Sequence, residues 1–249
     1  MTGYQVQNLR TRTPEIALRN LSARRAFSII DLLVSMAVIT VLIGLLLPSI
    51  SAVREAARQV VCASNVRQHG LGIAMYADDY QGFLPYSKFG NRDRATQFQP
   101  QLMTMLHTEE APQVWDGLGI LFAQEYLEAP GVFYCPSHRN GHVLNTYLLN
   151  WASRTGRIEG NYQFRGGISQ RLYSLANEQS LVTDALRSQS DFNHGVGANV
   201  LRADFVVGWF DDSSRKFRSR LPMLVTELDA AMKVDDAWTR IDAEFTPRH

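Results

Sequence analysis

The segment from Phe27 to Leu47, FSIIDLLVSMAVITVLIGLLL, runs for 21 residues with one charge, Asp31. Coiled as a helix, it spans about 30 Å, the hydrocarbon thickness of a bilayer. A helix apolar on every side has no place on the surface of a domain of this size, so the run imposes a membrane span. Its flanks orient it. Residues 1–26 hold Arg10, Arg12, Arg19, Arg24 and Arg25 against Glu15 alone. The positive-inside bias keeps that end cytoplasmic and sends the remainder across. A secretory signal peptide has a shorter apolar region and a small-x-small cleavage site. Here the run is longer, and Pro48-Ser49-Ile50 and a charged helix follow it.

The chain as a whole has an ordinary composition. Hydrophobic residues make up 45% and charged residues 20% of 249 residues, which suits a globular head and excludes wholesale disorder. The formal net charge is +1, so no basic excess calls for a nucleic-acid partner. Two cysteines exclude a disulfide-rich scaffold and a zinc ribbon.

The helical pattern continues past the apolar run. Ile50, Val53, Ala57, Val60, Ser64, Leu71 and Met75 recur at helical spacing, and Cys62, Val66, Ile73, Tyr76 and Tyr80 form a second stripe. The pattern predicts one helix over residues 27–80, about 80 Å long, with Gly82 as terminator. Its first part is transmembrane and its second amphipathic. Pro48 removes a backbone bond inside it and distorts the helix. Asp31 costs a few kcal/mol in lipid, so it is a functional residue by default.

Arg24-Arg25-Ala26-Phe27-Ser28-Ile29-Ile30-Asp31-Leu32-Leu33 resembles the prepilin cleavage and methylation motif of type IV pilins and type II secretion pseudopilins. The resemblance implies cleavage between Ala26 and Phe27 by a prepilin peptidase, methylation of the new Phe27 amine, and pairing of that amine with the Asp31 carboxylate during assembly. Ala26 stands where the family has Gly, and Asp31 where it has Glu. Arg54-Glu55-Ala56-Ala57-Arg58, then Cys62-Ala63-Ser64-Asn65-Val66-Arg67-Gln68, is similar to the planctomycete-type prepilin-like family with a terminal H-x9-DG motif. So are Tyr76–Pro85, Phe133–Ser137 and the stretch from His194 through Asn199 to Asp204, where Phe205 replaces the family's Gly.

The resemblance implies an α+β, pilin-like fold: a long N-terminal helix packed on a mainly antiparallel sheet. The expected organisation is a cytoplasmic leader over 1–26, the long helix over 27–80 with its span at 27–47, and an extracytoplasmic head over 81–249. In the head, residues 86–114 read as a loop with a short helix around Gln101–His107. Trp115–Glu128 reads as a helix ended by Pro130-Gly131. Val132–Cys135, Tyr162–Phe164, Ser180–Asp184, Asn199–Asp204 and Val206–Phe210 read as strands, the last two a hairpin turned near Asp204-Phe205. Glu227–Phe245 reads as a C-terminal helix.

Candidate chemistry is thin. Cys62 and Cys135 both fall outside the cytoplasm, where a disulfide persists, and pairing and burial as a reduced thiol both stay open. His194 and Asp204 are potential ligands, and Asp211 and Asp212 offer oxygens for calcium, which some pseudopilins bind; loop-fixing hydrogen bonds and a solvated acidic turn explain the same residues. His138 and His142 near Cys135 lack the second cysteine pair of a zinc site. There is no Gly-x-Ser-x-Gly, P-loop or HExxH, and no catalytic activity is expected. Two functions remain. One is a pilin or pseudopilin subunit in the inner membrane, with other pilin subunits, the assembly platform and the bilayer as partners and the head periplasmic or extracellular. The other is a membrane-anchored extracytoplasmic binding module for a glycan or other macromolecule, not filament-forming, favoured if Trp151, Trp209 and Trp238 line a groove.

Overall fold

The computed structural model describes residues 28–90, 98–109, 114–139, 141–167, 169–184 and 186–245. The processing pair Ala26 and Phe27 and the whole leader lie outside the described residues. The chain divides into two units, Met1–Pro48 and Ser49–His249.

The first unit contains the start of helix α1 (Ile29–Asp79). It is long and apolar enough to cross a membrane, and its most apolar stretch is wholly exposed. Ser28 and Asp31 form a capping box. The Ser28 hydroxyl accepts the Ile30 N–H at 3.3 Å, and Asp31 Oδ2 accepts the Ser28 N–H at 3.2 Å. Pro48 falls inside the helix, which continues through it.

In the second unit the two stripes of α1 part company. Cys62, Val66, Ile73 and Ala77 are buried, whereas Val53, Val60, Leu71 and Met75 are more than half exposed. The helix ends where Gln81 and Gly82 take positive φ, at 53° and 83°, and the Gly82 N–H bonds back to Ala77 O at 2.7 Å.

A four-stranded antiparallel sheet runs in the order β3 (Tyr162–Phe164), β4 (Ser180–Asp184), β5 (Gly197–Arg202), β6 (Val207–Asp211). Alternation on β5 sends its side chains into two cores. Leu201 joins Cys62, Val66, Ile73, Phe133 and Phe164 on the α1 side. Ala198 and Val200 join Val234, Trp238 and Ile241 of the C-terminal helix α4 (Ala230–Glu244), with Phe210 of β6. The sheet is therefore covered by α1 on one face and α4 on the other. This is the α+β arrangement expected, a long apolar N-terminal helix with antiparallel sheets.

The β5–β6 hairpin turns at Ala203–Val206, and Phe205 adopts φ 64°. A phenylalanine pays about 1 kcal/mol or more for that conformation. Its ring lies against α1: a Cβ added to Gly70 would meet Phe205 Cδ1 at 3.5 Å and Leu201 Cδ1 at 3.1 Å. Gly70, unfavourable for the helix by itself, makes room for these two side chains.

Elsewhere the expectations need correction. Pro100 opens a 3-10 turn (Pro100–Leu102), and the segment expected as a helix then becomes strand β1 (Met105–His107), paired with β2 (Ile158–Glu159). The helix over Trp115–Glu128 shrinks to α2 (Gly119–Ala123), because Trp115 bridges His107 and Glu125 turns to φ 63°. Val132–Cys135 is not a strand: Pro130, with no N–H to give, starts a 3-10 turn through Phe133. Helix α3 (Leu144–Ser153) was not expected, although Tyr147 and Trp151 sit four apart on its buried face.

Candidate functional site

The residues of the sequence motifs gather where α1 meets the head. Cys62, in mid-helix, and Cys135, just beyond the Pro130–Phe133 turn, form a disulfide with Cα atoms 5.4 Å apart. The Cys135 N–H bonds to Asn161 Oδ1 at 3.2 Å. One and two turns from Cys62 the helix makes further polar contacts. Asn65 Nδ2 donates to Tyr134 O at 3.2 Å and Tyr162 Oη at 3.0 Å. The fully buried His69 places Nε2 3.1 Å from Val132 O, and burial pushes its pKa down to about 3, so it is neutral.

Seven residues before Cys62, and so on the same side of α1, Glu55 reaches the head. Ser137 Oγ donates to its Oε1 at 2.7 Å, and His194 Nδ1 lies 2.7 Å from the same oxygen. Partial burial pulls the Glu55 carboxyl upward, but hydrogen bonds from His194 and Ser137 outweigh it and hold it below its ordinary value. The other face of the imidazole looks inward. Nε2 is 3.6 Å from Cys135 Sγ and 3.5 Å from Asp184 Oδ2, and Trp209 packs edge-on against the ring. Asp184 ends β4 and is fully buried, which raises its pKa. Asn199 on the neighbouring strand donates its backbone N–H at 2.6 Å and Nδ2 at 3.1 Å to Asp184 Oδ2.

His194 and Asn199 of the motif thus converge on Asp184 and the disulfide. Asp204 does not: it holds the hairpin turn, accepting the Val206 N–H at 3.1 Å and pairing with Arg202. Asp211 accepts from Ser213 at 2.8 Å, and buried Asp212 accepts the N–H groups of Phe217 and Arg218 at 3.0 and 2.8 Å. Both carboxylates serve their own loop. His138 is bound to Asn193, and His142 to Tyr147 and Glu159. Trp151 and Trp238 are core residues, and half-buried Trp209 packs on His194.

Glu55 and Ser137 appear in the sequence only as members of family motifs and Asp184 only as a strand end, with no site role attached. Glu55 stands one heptad before Cys62, and Asp184 alternates in phase with Val182, so each carried a signal of direction. Beside the disulfide lies a cleft of about 410 Å³, lined by Val61, Asn65, Tyr134, Cys135, His138 and Leu144.

The family described as "Protein of unknown function (DUF1559)" matches residues 51–202. That span holds Glu55, Cys62, Cys135, Asp184, His194 and Asn199, and stops short of Asp204. No curated protein and no solved structure matches the chain.

Proposed function

The chain belongs to the DUF1559 family of proteins of unknown function, and from that footing we propose that it is a pilin- or pseudopilin-like structural subunit. In this reading it is held in the inner membrane by the start of α1 and assembled through that helix into a filament, after prepilin peptidase cleaves before Phe27. The observation that carries the reading is the first, exposed stripe of α1. Ile50, Val53, Val60, Leu71 and Met75 stay exposed on a helix whose other side is buried in the head. Residues 50, 57, 64 and 71 stand seven apart and 53 and 60 follow the same repeat, the spacing of a helix–helix seam. A monomer has no use for that seam, and a bundle of identical helices does. Asp31 supplies the carboxylate such a bundle needs opposite each Phe27 amine, since an unpaired charge in that dry interior is strongly unfavourable.

Mass spectrometry of the mature N-terminus tests the proposal. N-methyl-Phe27 is the expected first residue. An intact Met1 overturns the processing step and leaves a membrane-anchored module instead.

A further inference from the structure

Four metal-ligating side chains meet at the helix-to-head junction. The sulfurs of Cys62 and Cys135, a carboxylate oxygen of Asp184 and an imidazole nitrogen of His194 lie within 4.8 Å of one another, and all four residues are buried. The geometry points to a second state of this junction: with the Cys62–Cys135 bond reduced, these four side chains bind Zn²⁺ tetrahedrally. The inference is independent of the filament reading, because all four residues lie in the Ser49–His249 unit.

The spacing around His194 Nε2 is already that of a coordination shell. With bonds of about 2.3 Å to sulfur and about 2.0–2.1 Å to nitrogen and oxygen, tetrahedral neighbours stand about 3.6 Å apart for sulfur and nitrogen and about 3.3 Å for nitrogen and oxygen. His194 Nε2 is 3.6 Å from Cys135 Sγ and 3.5 Å from Asp184 Oδ2. The two sulfurs must part from a bonded pair to two neighbours, and the remaining pairs, all within 4.8 Å, close to the same spacing around the ion.

The surroundings are those of a metal shell as well. The Glu55 carboxylate, 2.7 Å from His194 Nδ1, fixes the tautomer that leaves Nε2 free to ligate. Asn199 orients Asp184 through two hydrogen bonds to Oδ2. The other oxygen, Asp184 Oδ1, is buried without a hydrogen-bond partner, so this carboxylate holds acceptor capacity that its neighbours leave unused. Two thiolates, one imidazole and one carboxylate form a donor set suited to Zn²⁺.

The chemistry balances with a dithiol as reductant. The dithiol gives two electrons and two protons to the Cys62–Cys135 bond and closes to a disulfide itself. Cys135 lines the cleft through which it approaches. Zn²⁺ then displaces the two thiol protons, and any proton on His194 Nε2 or the Asp184 carboxyl, to solvent. A disulfide oxidant reverses the change, re-forming the sulfur–sulfur bond and expelling the ion. In either state α1 stays fastened to the head.

The test uses the full chain in detergent micelles, oxidised or reduced, with the reductant removed under anaerobic conditions. The reduced chain is expected to take up one Zn²⁺, to lose thiol alkylation at both cysteines, and to give a tetrahedral thiolate spectrum with Co²⁺. The oxidised chain is expected to do none of these. His194→Ala and Asp184→Asn should each weaken Zn²⁺ binding by about tenfold or more, with His142→Ala unchanged. Circular dichroism of every variant guards against misfolding, and the Co²⁺ spectrum of the reduced wild type needs no substitution. Equal Zn²⁺ uptake by the oxidised chain overturns the proposal, as does binding indifferent to His194. So does a reduced wild type that binds no Zn²⁺, or that unfolds and is not restored by it.

Discussion

His194 and Glu55, 139 positions apart, meet through a 2.7 Å contact between Nδ1 and Oε1. The contact joins the head's histidine to the helix that carries the apolar run, and Ser137 shares the same oxygen. A charge-assisted bond of this kind contributes about 1–2 kcal/mol at a partly exposed carboxylate. Glu55→Ala should therefore lower the melting temperature by about 3–6 °C. Combined with His194→Ala, the loss should be less than the sum of the two single losses, as for residues sharing one contact. Additive melting shifts would show that the pair is not coupled.

The disulfide joins residues 73 apart in sequence. Chain-entropy reasoning assigns such a loop about 4 kcal/mol of stabilisation. Cys62→Ala/Cys135→Ala should melt about 10 °C below the oxidised wild type. Calorimetry in the presence of a chelator reads this without interference from metal ions, and a shift under 2 °C (about 0.5 kcal/mol) contradicts it.

Asp116 gives a pH prediction. It is fully buried, with Ser87 Oγ and the Lys88 N–H donating to its two oxygens at 2.8 and 2.7 Å. Burial raises its pKa from 3.8 to about 6, against the pull of those hydrogen bonds. A folded value above the unfolded one means that the native state binds the proton more tightly. The associated stability is complete below pH 3.8 and is lost as pH rises to about 6, a change of about 2–3 kcal/mol. Urea unfolding of Asp116→Asn should lack this decline between pH 4 and 6. A variant whose slope matches the wild type removes Asp116 as its source.

Asp31 carries two roles that one substitution separates. It caps α1 by accepting the Ser28 N–H, and on the proposed function it also pairs with the Phe27 amine. Asp31→Asn keeps an oxygen for the cap and removes the charge. Membrane insertion should be unchanged while filament incorporation falls below detection by shearing and immunoblot. Normal incorporation of Asp31→Asn reduces Asp31 to a capping residue.

Much of the fold was readable where a regular period met a clear terminator. The α1 pattern runs to Asp79, just before Gly82, and strands β3 and β4 fall at the short runs bounded by Gly, Asn and Asp that mark them in the sequence. The hairpin at Phe205 was legible too, but its positive φ was not, because the ring's resting place on Gly70 is a tertiary contact with no local signal. Between residues 98 and 135 reading failed because the elements are short and set by tertiary contacts. Prolines 100 and 130 open 3-10 turns, and the Trp115 bridge to His107 and the positive φ of Glu125 confine α2. The junction was half visible. Both cysteines and His194 stood out by type, whereas Asp184 is an acid buried by strand alternation and Glu55 an acid on a charged helical stretch.

The position of the disulfide on α1 sets where mechanical load passes. A pull on the N-terminal end of this helix enters the head covalently at Cys62, two-thirds of the way along Ile29–Asp79. The turns beyond it, which carry His69, Gly70 and Ile73, are shielded from tension and keep their packing. Peeling the helix off the sheet would require breaking a sulfur–sulfur bond before those contacts were strained, so under tension the head behaves as a clamped attachment, and the first part to stretch is the helix on the N-terminal side of Cys62.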